Sequence, residues 1–117
     1  MAVTHTFVAL PVADYASAYD WYVRLFGRPA DMFPHDSEAV WRLTPTASVY
    51  VVQDRQRAGR GLVTLALDDL EHHERRLRAE GLPFTEEASG PSPRRLVVRD
   101  ADGNRLTFFH DTSQSGG

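Results

Sequence analysis

The first half of the chain alternates between strand-like and helix-like patterns of apolar residues. Apolar and polar positions alternate from Val3 to Leu10, which predicts a β-strand that Pro11 closes. Asp14 follows as a candidate helix N-cap, and apolar residues recur at helical spacing until Gly27. Turn-forming residues separate three short β-prone runs that come next, at 31–34, 39–43 and 48–53. This half is therefore predicted to fold as βαβββ.

The same order of elements returns after a polar, glycine-bearing linker at 54–61. Residues 62–67 predict a strand, Asp68 or Asp69 is expected to cap a second helix, and Gly81 is its expected end. Three later strands are predicted, separated by a Pro-rich loop at 89–93 and a turn at 101–104: they span 83–85, 94–99 and 105–110. The second half is therefore also predicted to be βαβββ.

Two such units at a period of roughly 55 residues form an internal repeat. We therefore predict an α+β fold of two βαβββ modules, about 3–54 and 61–111, within a single domain at 1–111. A four-stranded sheet with one helix leaves its other face open, so the paired sheets are expected to form a curved cup with the helices outside. The small, polar residues 112–117 are expected to be a disordered tail.

Composition removes several classes of function. The 117 residues include no cysteine, which excludes disulfides, zinc fingers and thiolate nucleophiles and leaves only His, Asp and Glu as metal ligands. The 13 basic residues are all arginine, and the net charge is −3, so nucleic acid is not an expected partner. The chain has no apolar run long enough for a membrane span and no basic-then-apolar leader, so we expect a cytoplasmic protein without a membrane partner.

Three motifs resemble one known family. Val12-Ala13-Asp14, with Trp21-Tyr22 and Phe26-Gly27 further on, resembles the first helix of the vicinal oxygen chelate superfamily, which includes glyoxalase I, bleomycin resistance proteins and extradiol dioxygenases. Residues 65–70 resemble the start of its second module, and 100–106 resemble its terminal hairpin. The resemblance covers 3–110 and implies the fold predicted above. This fold hosts lyases, epimerases, dioxygenases and drug-binding proteins, so it does not by itself define a function.

Enzymes of this family hold one divalent metal ion through four side chains on the cup face. The resemblance places those positions at Phe7, Tyr50, Leu62 and Thr107, and none of them is a His, Asp or Glu. A register error of two residues would keep the same face, and it would recover only His5 as a ligand. We therefore expect no metal, no other cofactor and no catalytic residues of the family type.

Strand parity predicts the character of the two sheet faces. The predicted cup face is aromatic and apolar with a few hydroxyl groups, and it consists of His5, Phe7, Ala9, Ser48, Tyr50, Val52, Leu62, Thr64, Arg105, Thr107 and Phe109. The opposite face is uniformly apolar and should pack beneath the helices: Val8, Leu10, Val49, Val51, Val63, Leu65, Leu67, Leu106 and Phe108. Such a cup suits a flat organic ligand.

We predict a homodimeric small-molecule-binding protein that resembles bleomycin resistance proteins and sequesters an aromatic or amphipathic compound. The candidate ligand-binding residues are His5, Phe7, Trp41, Tyr50, Leu62, Thr107 and Phe109. Two alternatives are enzymes: one of the glyoxalase, epimerase or dioxygenase type with an atypical metal site, and a metal-free one that uses His5, Tyr50 or Glu38 as acid or base. In a further alternative, side chains fill the cup and the protein acts through its surface.

Overall fold

A computed structural model describes residues 1–88, 91 and 94–112. These form two compact units: the first comprises Met1–Gly61 with Asp100–Asn104, and the second comprises Leu62–Arg99 with the chain from Arg105 onward. Most of the Pro-rich loop expected at 89–93, and all of the expected tail beyond residue 112, lie outside the described residues. Among the described residues, neither helix has the length and apolar character that a membrane span needs.

The first unit contains one helix and a four-stranded sheet. In chain order its elements are β1 (Thr6–Val12), α1 (Tyr15–Phe26), β2 (Met32–His35), β3 (Glu38–Thr44) and β4 (Ala47–Gln53). The strand order across the sheet is β1-β4-β3-β2. β1 and β4 are parallel, and the other neighbours are antiparallel.

The second unit repeats this arrangement. Its elements are β5 (Leu62–Leu67), α2 (Leu70–Ala79), β6 (Thr85–Glu87), β7 (Arg95–Arg99) and β8 (Arg105–His110). The strand order is β5-β8-β7-β6, again with one parallel pair, β5 and β8. The predicted α+β class and the duplicated βαβββ pattern are therefore confirmed.

Local sequence signals set the limits of both helices. Asp14 is the N-cap residue of α1, and Gly27 ends the helix in a left-handed conformation (φ 77°) that a side chain would disfavour. In α2, the carboxylate of Asp69 accepts a hydrogen bond from the backbone N–H of His72 at 3.0 Å. Asp69, and not Asp68, is therefore the cap of α2.

Two strand predictions are wrong in position. β1 continues through Pro11 to Val12 instead of ending before the proline. β1 is an edge strand, and the Pro11 carbonyl points away from β4, where it accepts hydrogen bonds from Gly59 N (3.1 Å) and Asn104 Nδ2 (2.7 Å). Because the nitrogen and the carbonyl of one strand residue point to the same side, the missing N–H of Pro11 takes no donor from the β1–β4 pairing. β6 begins at Thr85, two residues later than the expected start at 83. Residues 82–84, which follow α2, are not paired with another strand.

The pairing registers confirm the predicted alternation of faces. Phe7 pairs with Ser48, and both were assigned to the cup face. Val8 pairs with Val49, and both were assigned to the helix side. The set assigned to the helix side supplies much of the core, including the buried side chains of Leu10, Val49, Val51, Val63, Leu106 and Phe108. The opposite face of the first sheet carries the concave region described below.

Candidate functional site

A concave region of about 420 Å³ lies on the face of the first sheet that is turned away from α1. All of its lining residues belong to the first unit: His5, Phe7, Asp31, Met32, Val40, Arg42 and Ser48. Strand pairing explains how residues distant in sequence meet there. Phe7, Ser48 and Arg42 are direct cross-strand partners on β1, β4 and β3, and they form one row across the sheet.

The aromatic side chains of His5 and Phe7 lie at one end of this row. The rings of His5 and Phe7 lie 4.5 Å apart between centroids and are tilted by 34°. His5 Nε2 lies 2.8 Å from the hydroxyl oxygen of Ser48, a buried residue, so a hydrogen bond fixes the imidazole. The Phe7 side chain remains 56% exposed. A large apolar ring is therefore open to solvent at the edge of the concave region.

Polar groups stand at the other end. Asp31 Oδ1 accepts a hydrogen bond from Arg28 Nη1 at 2.7 Å, and Asp31 Oδ2 accepts one from the Arg42 backbone N–H at 2.6 Å. The hydrogen bond from the Arg42 N–H and that from the Arg28 guanidinium lower the pKa of Asp31 below its usual value, so this carboxylate is charged at neutral pH. Met32 and Val40, which pair with each other, add apolar surface beside these groups.

The candidates predicted from the sequence are divided between the units. His5 and Phe7 line the concave region, and Tyr50 lies on the same face of β4, two residues beyond Ser48. Leu62, Thr107 and Phe109 share one face of the second sheet, where Leu62 is 70% exposed and Thr107 is buried. Arg105, on that same face, forms an ion pair with Glu87 at 3.0 Å.

Trp41 requires a correction. It was expected among the ligand-binding residues, but it pairs with Val49 and therefore points to the helix side of the first sheet. Its ring packs against Tyr19 at 5.6 Å and Phe26 at 5.2 Å, its indole N–H donates to the Arg28 carbonyl at 3.0 Å, and it has no exposed surface. Trp41 belongs to the core beneath α1 and does not face His5 and Phe7.

The donor chemistry does not fit the divalent metal that the family's enzymes hold. Phe7 and Leu62 offer no donor atom, and the hydroxyl groups of Tyr50 and Thr107 are weak substitutes for imidazole or carboxylate. His5 directs its Nε2 toward Ser48. Within the described ranges, no group of three or more His, Asp or Glu side chains is arranged to hold an ion. These side chains therefore do not provide a metal site of the family type.

Four lining residues were missed by the sequence analysis: Asp31, Met32, Val40 and Arg42. They lie on or next to β2 and β3, whose register relative to β4 is not encoded in any local pattern. The signal exists only across strands, because Arg42 joins the site through its pairing with Ser48 and Met32 joins it through its pairing with Val40.

The fold and this open sheet face define a protein built from two βαβββ modules with a ligand-sized concavity on the first. The sequence profile of one family, the glyoxalase/bleomycin resistance protein/dioxygenase superfamily, matches residues 4–108. The chain belongs to this superfamily.

Solved structures share this fold. A glyoxalase/bleomycin resistance protein from Catenulispora acidiphila is 28% identical, with a TM-score of 0.86, and the alignment covers 92% of this chain and 97% of that one. An antibiotic-binding protein from a Streptomyces species is 22% identical, with a TM-score of 0.75 and coverage of 96% and 99%. The bleomycin resistance determinant of transposon Tn5 is 20% identical, with a TM-score of 0.73 and coverage of 91% and 96%. No curated protein matches the sequence significantly.

Proposed function

We propose that this protein binds an aromatic or amphipathic small molecule on the open face of the first sheet and sequesters it without a metal and without turnover. The observation that carries the proposal is the exposed Phe7 ring, fixed against His5 at the edge of a concavity of about 420 Å³. A volume of this order accommodates a small organic ligand, and apolar walls with a few placed polar groups are the usual composition of such sites.

The relatives support this proposal. One structural neighbour is an antibiotic-binding protein, and another is a bleomycin-binding protein that was solved with bleomycin. We extend the general property, binding of a small organic compound, from those proteins to this chain. We also propose that the protein works as a homodimer, as the resemblance to the family implies, with one ligand site in each chain.

The test is a fluorescence titration with N-phenyl-1-naphthylamine, a neutral aromatic probe that emits in apolar surroundings. Replacing Phe7 by Ala should weaken probe binding roughly tenfold, since loss of one well-buried aromatic contact removes about 1.5 kcal/mol or more. Folding should be nearly unchanged, because Phe7 is 56% exposed in the free protein.

Phe33→Ala is a matched control. Phe33 is also 56% exposed, but its ring packs against Tyr19 on the helix side, at 5.6 Å, and does not line the concavity. Equal weakening by both variants would show that the probe adheres to any exposed ring, and the proposal would then be wrong. If Phe7→Ala instead lowered the free energy of unfolding by about 3–5 kcal/mol, Phe7 would be part of a filled core and not a ligand wall.

A further inference from the structure

The site is aromatic at its β1 end and polar, with charged side chains, at its β3 end. Phe7 and Arg42 are joined through Ser48 in one cross-strand row. Neighbouring strands lie roughly 4.8 Å apart, so the backbone positions of Phe7 and Arg42 are separated by about 10 Å across β4. That span matches an aromatic ring system with one polar substituent: the ring would lie on Phe7 and His5, and the substituent would lie toward β3.

The charge at the β3 end is positive. Arg28 neutralises the Asp31 carboxylate through an ion pair at 2.7 Å and also donates to the Arg42 carbonyl at 2.6 Å. In the part of the chain that the structure describes, the Arg42 guanidinium forms no direct ion pair, and Asp31, which it attracts, is already paired with Arg28. Glu38, which begins β3, is bound by His35 at 3.0 Å and lies four residues away along the strand.

The wider molecule does not explain this positive end, because the chain is acidic overall, with a net charge of −3. Arg57, Arg78 and Arg94 each form an ion pair with a carboxylate. The Arg42 side chain instead lines a concavity beside an exposed aromatic ring. A guanidinium with a free face binds carboxylate, sulfonate and phosphate groups through paired, charge-assisted hydrogen bonds.

We infer that the ligand of this site is an anionic aromatic compound and that Arg42 is the residue that selects it by binding the acidic group. The inference rests on the proposed function and specifies its ligand class. The ring contributes apolar burial against Phe7 and Met32, and the acidic group gives the ligand its orientation in the row. A cationic ligand would meet two guanidinium groups, Arg28 and Arg42, against the single carboxylate of Asp31, so it is disfavoured.

Two probes with one skeleton test this inference: 1-anilinonaphthalene-8-sulfonate and N-phenyl-1-naphthylamine, which lacks the sulfonate. The wild-type protein should bind the sulfonate more tightly. In Arg42→Gln, the affinity for the sulfonate should fall roughly tenfold or more, as expected for a lost hydrogen bond to a charged group, while the neutral probe is unaffected. Arg42→Lys keeps the charge and should retain most of the preference.

Arg55→Gln is the control for net charge. Arg55 is exposed in the 54–61 linker and does not line the site, so this variant should bind both probes as the wild type does. If Arg42→Gln weakens both probes equally or neither, or if Arg55→Gln has the same effect as Arg42→Gln, the inference is overturned.

The failure of the inference can be separated from the failure of the proposed function. If Phe7→Ala weakens both probes but Arg42→Gln does not discriminate between them, the site binds aromatic compounds without selecting anions. If Phe7→Ala changes the binding of neither probe, the proposed function fails, and the selectivity argument fails with it.

Discussion

Among single residues, Tyr22 makes a fully buried polar contact in the first unit. Its side chain has no exposed surface, and its hydroxyl donates to Asp100 Oδ2 at 2.7 Å. Asp100 Oδ1 accepts three backbone N–H groups of the turn that follows, from Asp102, Gly103 and Asn104. Burial raises the pKa of Tyr22 well above its ordinary value, and the Asp100 carboxylate adds to the effect. The phenol therefore remains a donor at all physiological pH values.

Replacing Tyr22 by Phe should lower the free energy of unfolding by about 1.5–3 kcal/mol, because a buried carboxylate loses a donor that water does not replace. Urea titration at pH 7 measures the change. Tyr19→Phe is the matched control: among the described residues, the Tyr19 hydroxyl makes one long hydrogen bond, which it accepts from Ala30 N at 3.4 Å. Its loss should change stability by less than about 0.5 kcal/mol. Similar losses in the two variants would show that the contact with Asp100 has no special importance.

Residue-scale contacts of this kind were only partly predictable from the sequence. The helical spacing of apolar residues between Asp14 and Gly27 is sufficient to predict α1, the helix on which Tyr22 is buried. Its partner Asp100 is 78 residues away, and no local pattern encodes that contact. The face of Trp41 was unpredictable for a similar reason, because it depends on the register between β3 and β4.

Among the elements, α2 packs on the second sheet through a histidine. The His73 ring lies 4.2 Å from the Phe108 ring on β8, and its buried Nε2 has no hydrogen-bond partner among the described residues. Burial lowers the pKa of His73 from 6.5 to about 4, and the neighbouring charges of Arg76 and His72 act in the same direction. The imidazole is therefore neutral in the folded protein at mildly acidic pH.

This depressed pKa predicts that acid weakens the folded protein. Between about pH 6.5 and pH 4 the unfolded chain binds a proton at His73 that the folded chain does not, so stability is full above pH 6.5 and falls as the pH drops. With allowance for partial exposure, we expect a loss of roughly 1–2 kcal/mol at pH 4.5 that is attributable to this group.

The measurement is urea unfolding at pH 7 and pH 4.5 for the wild type and for His73→Phe, which keeps an aromatic ring against Phe108. The variant should show a smaller loss at the lower pH than the wild type does. His72→Phe is the control, because His72 is exposed on the same helix and should leave the pH dependence nearly unchanged. An identical pH dependence in the wild type and His73→Phe would contradict the prediction.

The elements themselves were largely predictable, because period-2 and period-3.6 patterns, caps and turn residues are local signals. The failures occurred where a tertiary contact overrides the local rule. Pro11 lies inside β1 because its carbonyl is directed to Gly59 and Asn104. The β2–β3 pairing contains a shift between Met32 and His35, and this irregular pairing is what brings Met32 opposite Val40.

At the scale of the whole molecule, duplication has produced two units with the same topology and different surfaces. The open face of the first sheet has a concavity with aromatic and cationic ends, whereas Arg105 on the corresponding face of the second sheet is engaged by Glu87. The site we propose is lined by residues of the first unit alone. We therefore expect the first unit of one chain to supply the main contacts to the ligand.

Native mass spectrometry of freshly purified protein tests this expectation together with the proposed dimer. We expect a dimer of 13.1 kDa chains that retains at most one organic compound per chain, with no divalent ion bound stoichiometrically. If these contacts are sufficient to hold the compound, gentle dissociation to monomers should leave it bound to individual chains. Loss of the compound in step with dimer dissociation would show that the partner chain completes the site. One tightly held metal ion per chain would contradict the argument from donor chemistry and favour a metal-dependent enzyme.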